Sequence, residues 1–181
     1  MHDEESEPKD PTPRPASRRY VIAAVGGAAL GALCLAAAGY FAVRSEHAHA
    51  RDEARTAAQR AACAYGPTMA SYDAQHLDAY FASVLDGATG DWKQEFDATS
   101  KDLREVLEQG RVVSKADSVQ CAIEKSDENT ATAVLVIGQT ITSAGTGDRP
   151  RPGQLAITLS LRKIGDAWLV DKVSSPLLPS S

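Results

Sequence analysis

Few residues in this chain have the types and spacing that chemistry needs. Asp73 and His76 are three apart on a stretch that reads as helix, close enough to touch, which is the geometry of an acid–base dyad. The same residues fit a plainer account, in which the Asp73 carboxylate caps the helix start and His76 sits partly exposed beside it. His47 and His49 are two apart, whereas metal ligands on a helix need three- or four-residue spacing to share a face. They read as solvated side chains, and His2 has no companion ligand nearby. Thr89-Gly90 lacks the further glycines and the lysine of a phosphate loop. Cys63 and Cys121 are the remaining candidates. In an oxidising compartment they can form a disulfide that closes a loop of about 58 residues, and otherwise they are two small buried thiols. No catalytic residue, metal site or cofactor is expected from these residues.

The elements that must position them are organised around Tyr20 to Val43. This stretch has no charged residue, Asn, Gln or Pro. As a helix its 24 residues reach about 36 Å, enough for a hydrocarbon core of roughly 30 Å. The expectation is a single transmembrane helix over residues 20–43. A cleaved export signal is the alternative. Ala48-His49-Ala50 has the form of a cleavage site, and Ser17-Arg18-Arg19-Tyr20-Val21-Ile22 is similar to a twin-arginine signal. Gly27 and Gly31 make a G-x-x-x-G pair, with Gly39 eight residues on near the same face. These three are helix-packing candidates, because small residues let helix backbones approach closely in lipid. An Ala/Gly-rich composition also produces such spacings by chance. Arg18-Arg19 abuts the span, which places the N-terminus in the cytoplasm and the C-terminal domain outside.

Residues 1–19 hold four prolines and nine charged residues with almost no large apolar side chain, and read as a disordered tail. Beyond the span the chain carries 15 basic and 19 acidic residues, part of a total net charge of −5, with no basic patch. Nucleic acid is therefore not an expected partner.

Residues 44–66 are rich in helix formers and read as a stalk that stops at Gly66-Pro67. Residues 67–174 read as one folded domain and 175–181 as a loose tail. Leu77, Tyr80, Phe81, Val84 and Leu85 mark one face of a helix over 71–86. Gly87-Ala88-Thr89-Gly90 breaks it, and Thr89 or Asp91 caps the next helix. Trp92, Phe96, Thr99, Leu103, Val106 and Leu107 line one face of that helix, up to the stop at Gly110. The period then becomes two. Val119, Cys121 and Ile123 alternate, then Ala131 to Ile137 within a strand over 130–142, then Leu155 to Leu161, then Trp168 and Val170. Val112-Val113 adds a possible short strand, and Ser143 to Gly153 reads as a polar loop. The fold class expected is α+β: three helices packed on a curled antiparallel sheet, a cone-shaped NTF2-like domain behind one membrane helix.

Several of these segments together resemble the mammalian-cell-entry (Mce)-associated membrane proteins of actinobacteria. They are the short polar tail and Ala/Gly-rich span, Tyr72-Asp73, Gly87-Ala88-Thr89-Gly90 followed by Phe96, Thr132 to Val136 with Gln139-Thr140, and Trp168-Leu169-Val170-Asp171. The resemblance implies a non-enzymatic accessory subunit in the inner membrane that supports an Mce lipid importer. Its implied partners are the permease or substrate-binding subunits, with lipid as a possible ligand. It supplies no catalytic motif. The alternatives are a lipid-binding domain that uses the mouth of the cone, an enzyme using Asp73 and His76, or an assembly factor or sensor of another envelope system.

Overall fold

The structure, a computed structural model, describes the backbone of residues 17–175 and the side chains at 39, 40 and 44–175. The chain divides into two units, Met1–Glu46 and His47–Ser181. Helix α1, Ser17–Ala70, runs through both. In the first unit the Arg44 guanidinium donates to the Tyr40 hydroxyl at 3.2 Å. Apart from residues 39 and 40, the side chains of the expected span at 20–43, the packing pair Gly27 and Gly31 included, lie outside the described residues. Among the described residues no helix is long and apolar enough to cross a membrane.

The second unit is a five-stranded meander with helices packed against it. Its elements after α1 are β1 (Tyr72–Asp73), α2 (Leu77–Asp86), α3 (Gly90–Gln109), β2 (Val113–Ser126), β3 (Thr130–Thr142), β4 (Arg151–Ile164) and β5 (Ala167–Ser174). The sheet order is β1-β2-β3-β4-β5, and every neighbouring pair is antiparallel. Strands β2 to β5 follow one another through short connections, and β1 joins β2 through α2 and α3. At the β2–β3 turn, Asp127 accepts from the backbone N–H groups of Asn129 and Thr130 at 2.8 and 2.7 Å. Those bonds, the Asn129 one foremost, hold its carboxyl below the usual carboxylate range.

The period-two strands bury the face the sequence assigned to them. Ala131, Ala133, Leu135 and Ile137 of β3 are buried, as are Ile157, Leu159 and Leu161 of β4 and Trp168 and Val170 of β5. Helix α1 meets them with a stripe of small residues, Ala54, Ala58 and Ala62, followed by Tyr65. Small side chains let the helix axis lie close to the sheet. Leu135, Ile137 and Leu159 are fully buried, and each removes apolar surface from water worth about 1.5–3 kcal/mol. Phe81 and Val84 of α2 and Phe96 and Leu107 of α3 complete the core.

Both outer edges of the sheet are occupied. Along β2 the Arg55 guanidinium donates to the Ile123 carbonyl at 3.1 Å, and the Ala116 N–H donates to Ser71 Oγ at 3.1 Å. Along β5 the Thr89 N–H donates to the Val170 carbonyl at 2.7 Å, and the Val170 N–H donates to the Gly87 carbonyl at 2.9 Å. Unpaired strand edges invite association with other chains, and these contacts occupy β2 toward both its ends and β5 in its middle.

Several expectations are corrected. Helix α1 does not stop at Gly66-Pro67 but continues through Pro67 to Ala70. Gly66 serves the packing instead: a Cβ there would lie 2.5 Å from Leu135 Cδ2. Tyr72 and Asp73 belong to a strand, paired with Ser114 and Val113, and α2 begins only at Leu77. Asp73 is therefore not the helix cap. His76 holds the N-cap position without a side-chain cap bond, and Asp73 Oδ1 accepts from the Gln75 N–H at 2.9 Å in a tight turn. Thr89 occupies the N-cap position of α3, also without a side-chain cap bond. Val106 and Thr99 of α3 are exposed, Val106 at 64%, because the stripe that reaches the core is narrower than its sequence pattern. The expected loop at 143–153 is shorter, since Ala144–Thr146 forms a 3-10 turn and β4 begins at Arg151.

Candidate functional site

The positions of the Gly-Ala-Thr-Gly segment and of the Trp-Leu-Val-Asp segment, far apart in sequence, meet in space. Gly87 to Thr89 run alongside β5, with Ala88 bridged in parallel to Val170. Gly90 then turns into α3 at φ +50°, and a side chain there would collide with the Asp171 carboxylate. Asp171 is held by Arg162, whose guanidinium donates to it at 2.8 Å. Gly87 faces the Tyr65 ring, 2.5 Å from where its Cβ would stand. Gly87 is therefore required by a close approach, and Gly90 by both a close approach and its positive φ.

Tyr65 links this junction to the helices. Its hydroxyl donates to the Val84 carbonyl at 2.8 Å and accepts from the Trp92 indole N–H at 2.8 Å. Burial pushes its pKa up to about 12, and the Trp92 bond acts in the opposite sense. The arrangement is a satisfied buried relay without a free proton acceptor, so its role is structural. Tyr65→Phe leaves the Trp92 N–H and the Val84 carbonyl without this partner. It is expected to cost about 1–3 kcal/mol, measured by urea unfolding. Phe96, packed against Phe81 and Trp92 with ring centroids 5.6 and 5.3 Å away, is core. Trp168 is 9% exposed and also core.

Cys63 and Cys121 are joined by a disulfide, with Cα atoms 5.7 Å apart. The bond ties α1 to β2, beside the Arg55 and Ser71 contacts to the same strand. Gly39 has nothing within 4 Å of where a Cβ would stand.

Asp73 and His76 do meet, with His76 Nδ1 3.4 Å from Asp73 Oδ2. His76 is 75% exposed and Asp73 41%. The Gln75 N–H, above all, holds the Asp73 carboxyl below its ordinary value, with the His76 contact adding to it. Such a carboxylate stays ionised and is a poor proton donor near neutral pH. The pair opens into a groove of about 490 Å³ that Tyr72 and Tyr80 also line. A larger groove, about 710 Å³, lies between α1 and the β2–β3 and β4–β5 turns. Among its lining residues Arg60, Lys163, Glu53 and Asp166 carry charge of both signs around the Trp168 edge. Residues sequence reasoning missed here are Tyr65, Tyr80 and Trp92 as a connected aromatic set. The signal was present, since Ala54, Ala58, Ala62 and Tyr65 repeat at helical spacing within the stretch read as a stalk.

A sequence profile described as uncharacterized protein Rv1363c/MT1408-like matches residues 20–172. The chain belongs to the Rv1363c/MT1408-like family. Within it, the chain is 30% identical over 93 residues to uncharacterized protein Rv1363c of Mycobacterium tuberculosis. That match spans 51% of this chain and 36% of the Rv1363c protein, so only about a third of the relative is represented. Solved structures with the same fold include an IcmL-like type IV secretion system protein from Legionella pneumophila. Its TM-score is 0.51 at 14% identity, over 68% of this chain and 93% of that one. The periplasmic domain of DotI gives 0.51 at 9% identity, over 66% and 92%. The VirB8 protein of Agrobacterium tumefaciens gives 0.50 at 12%, over 67% and 91%. At these identities the likeness is one of fold, and the mixed architecture of helices on a curled antiparallel sheet is the one expected from the sequence.

Proposed function

We propose that this Rv1363c/MT1408-like protein is a membrane-anchored, non-enzymatic accessory subunit of an envelope transport complex, with an Mce-type lipid importer as the complex served. The anchor in this reading is residues 20–43, a signal anchor in the inner membrane with its N-terminus in the cytoplasm. The NTF2-like domain stands outside and makes the partner contacts. The observation that carries the reading is the fold itself, shared with an IcmL-like type IV secretion system protein, the periplasmic domain of DotI and VirB8. The filled core supports it further. The space a lipid would need between helices and sheet holds Leu135, Ile137, Leu159 and Val84, all buried. The Asp73–His76 pair is exposed to solvent, with His76 at 75% and Asp73 at 41%, and this weighs toward the non-enzymatic reading.

The test is recovery of partners. Protein tagged at the C-terminus and solubilised gently from native membranes is expected to bring down Mce permease or substrate-binding subunits. Gly31→Leu is expected to reduce that recovery severalfold by blocking close helix packing. A partnerless protein would overturn the accessory role, and unchanged recovery with Gly31→Leu would remove the helix from it.

A further inference from the structure

We propose that the groove beside Asp73 binds an alkylammonium cation, held between the Tyr72 and Tyr80 rings and the carboxylate. Two features of the groove favour positive charge. Tyr72 and Tyr80 form one wall, with ring centroids 5.2 Å apart and planes tilted by 53°. Aromatic faces attract cations, and paired aromatic walls are the usual cage for methylated ammonium groups. The Tyr80 hydroxyl donates to the Met69 carbonyl at 3.3 Å, and its ring also packs against Phe81 and Phe96 at 5.3 and 6.1 Å.

Asp73 supplies the second feature. Gln75 pins Oδ1, while Oδ2 meets only the His76 imidazole at 3.4 Å, a contact long enough for a cation to replace. The last carbonyls of α1 are already satisfied, Met69 by the Tyr80 hydroxyl and Ala70 by Ser114 Oγ at 2.7 Å, so the carboxylate is the anionic point of the groove. No Lys or Arg lines the groove to compete, and the hydroxyls of Thr68 and Ser83 are spent on the Ala64 and Ala79 carbonyls. The lining is thus anionic at Asp73, π-rich on one wall and, apart from the His76 imidazole, otherwise small, which suits an ammonium with attached methyl or methylene groups better than a hydrated metal ion.

The experiment uses the full-length protein in maltoside micelles with ring-labelled tyrosine, followed by NMR. The chain has five tyrosines, so each signal is separable by substitution. Choline is expected to move the Tyr72 and Tyr80 signals saturably, with a Kd of about 1–10 mM, while buried Tyr65 stays still. The neutral isostere 3,3-dimethylbutan-1-ol should move neither. Asp73→Asn keeps the acceptor for Gln75 and is expected to weaken binding about tenfold. Tyr72→Phe keeps the ring face and is expected to bind as the parent does. Equal shifts with the neutral isostere, or no saturable shift at about 100 mM choline, overturn the proposal. So does an unchanged Kd in Asp73→Asn. Where choline binds, a matching response to phosphatidylcholine vesicles assigns a lipid headgroup, and its absence assigns a soluble amine.

Discussion

Reduction of the Cys63–Cys121 bond is expected to lower the stability of the folded unit by about 4 kcal/mol. The two cysteines are 58 residues apart in sequence, and the loop they close spans the end of α1, both shorter helices and the start of β2. Opening it returns that loop's freedom to the unfolded chain, and the chain-entropy relation for a loop of this length gives the figure as an upper value. The measurement is urea unfolding followed by tryptophan fluorescence, since Trp92 and Trp168 both sit in this unit. Wild type with reductant should match the double variant Cys63→Ala, Cys121→Ala without it, and the double variant should ignore reductant. A midpoint in wild type that reductant leaves unmoved would show that the bond carries no stability. The hydrogen bonds between α1 and β2 are those of Arg55 to the Ile123 carbonyl and of Ser114 Oγ to the Ala70 carbonyl, with Ser71 just beyond the helix adding a third, each worth about 1 kcal/mol. They are not expected to replace the covalent link.

Gly90→Ala is expected to cost about 3 kcal/mol, and the reason separates into two parts. At φ +50° any L-residue carries a backbone penalty of about 1–2 kcal/mol. A Cβ at this position also collides with the Asp171 carboxylate, which cannot withdraw freely because Arg162 holds it at 2.8 Å. Gly165 is the control. Its φ is +59° and nothing lies within 4 Å of its would-be Cβ, so Gly165→Ala should show the backbone penalty alone. Equal losses at the two positions would mean that Asp171 moves at no cost. A larger loss at Gly90 would establish the junction between the Gly87–Gly90 segment and β5 as a rigid joint. The joint matters because it closes the β5 edge, and a loosened edge is expected to promote association of the variant.

The candidate site was legible only in pieces. Asp73 and His76 were found from spacing, and they do lie 3.4 Å apart. Their setting was misread, because two residues of strand have no period to detect. Tyr72 and Asp73 pair with Ser114 and Val113, and that partner arrives about forty residues later in the chain. The aromatic wall of the groove was hidden for the same reason. Tyr80 carries the signature of a core helix face, and only the position of β1 brings Tyr72 against it.

Local pattern by itself determined the strand β3, the core of β4, the end of α3, the α+β class and the pair of cysteines worth considering. Each of these follows from a period or a residue type that acts within a few neighbours: alternation exposes one strand face, and Gly110 ends a helix where no side chain favours its continuation. Only the tertiary structure decided what Gly66, Gly87 and Gly90 are for. Their sequence signal is that of turns and stops, while their place in the fold is against Leu135, Tyr65 and Asp171. It likewise decided that α1 passes through Pro67, where the sheet and the disulfide hold the helix on both sides of the missing N–H. The physical reason is common to all of them. A glycine that turns the chain and a glycine that admits a neighbour are identical in sequence, and the neighbour is supplied by a part of the chain that no local window contains.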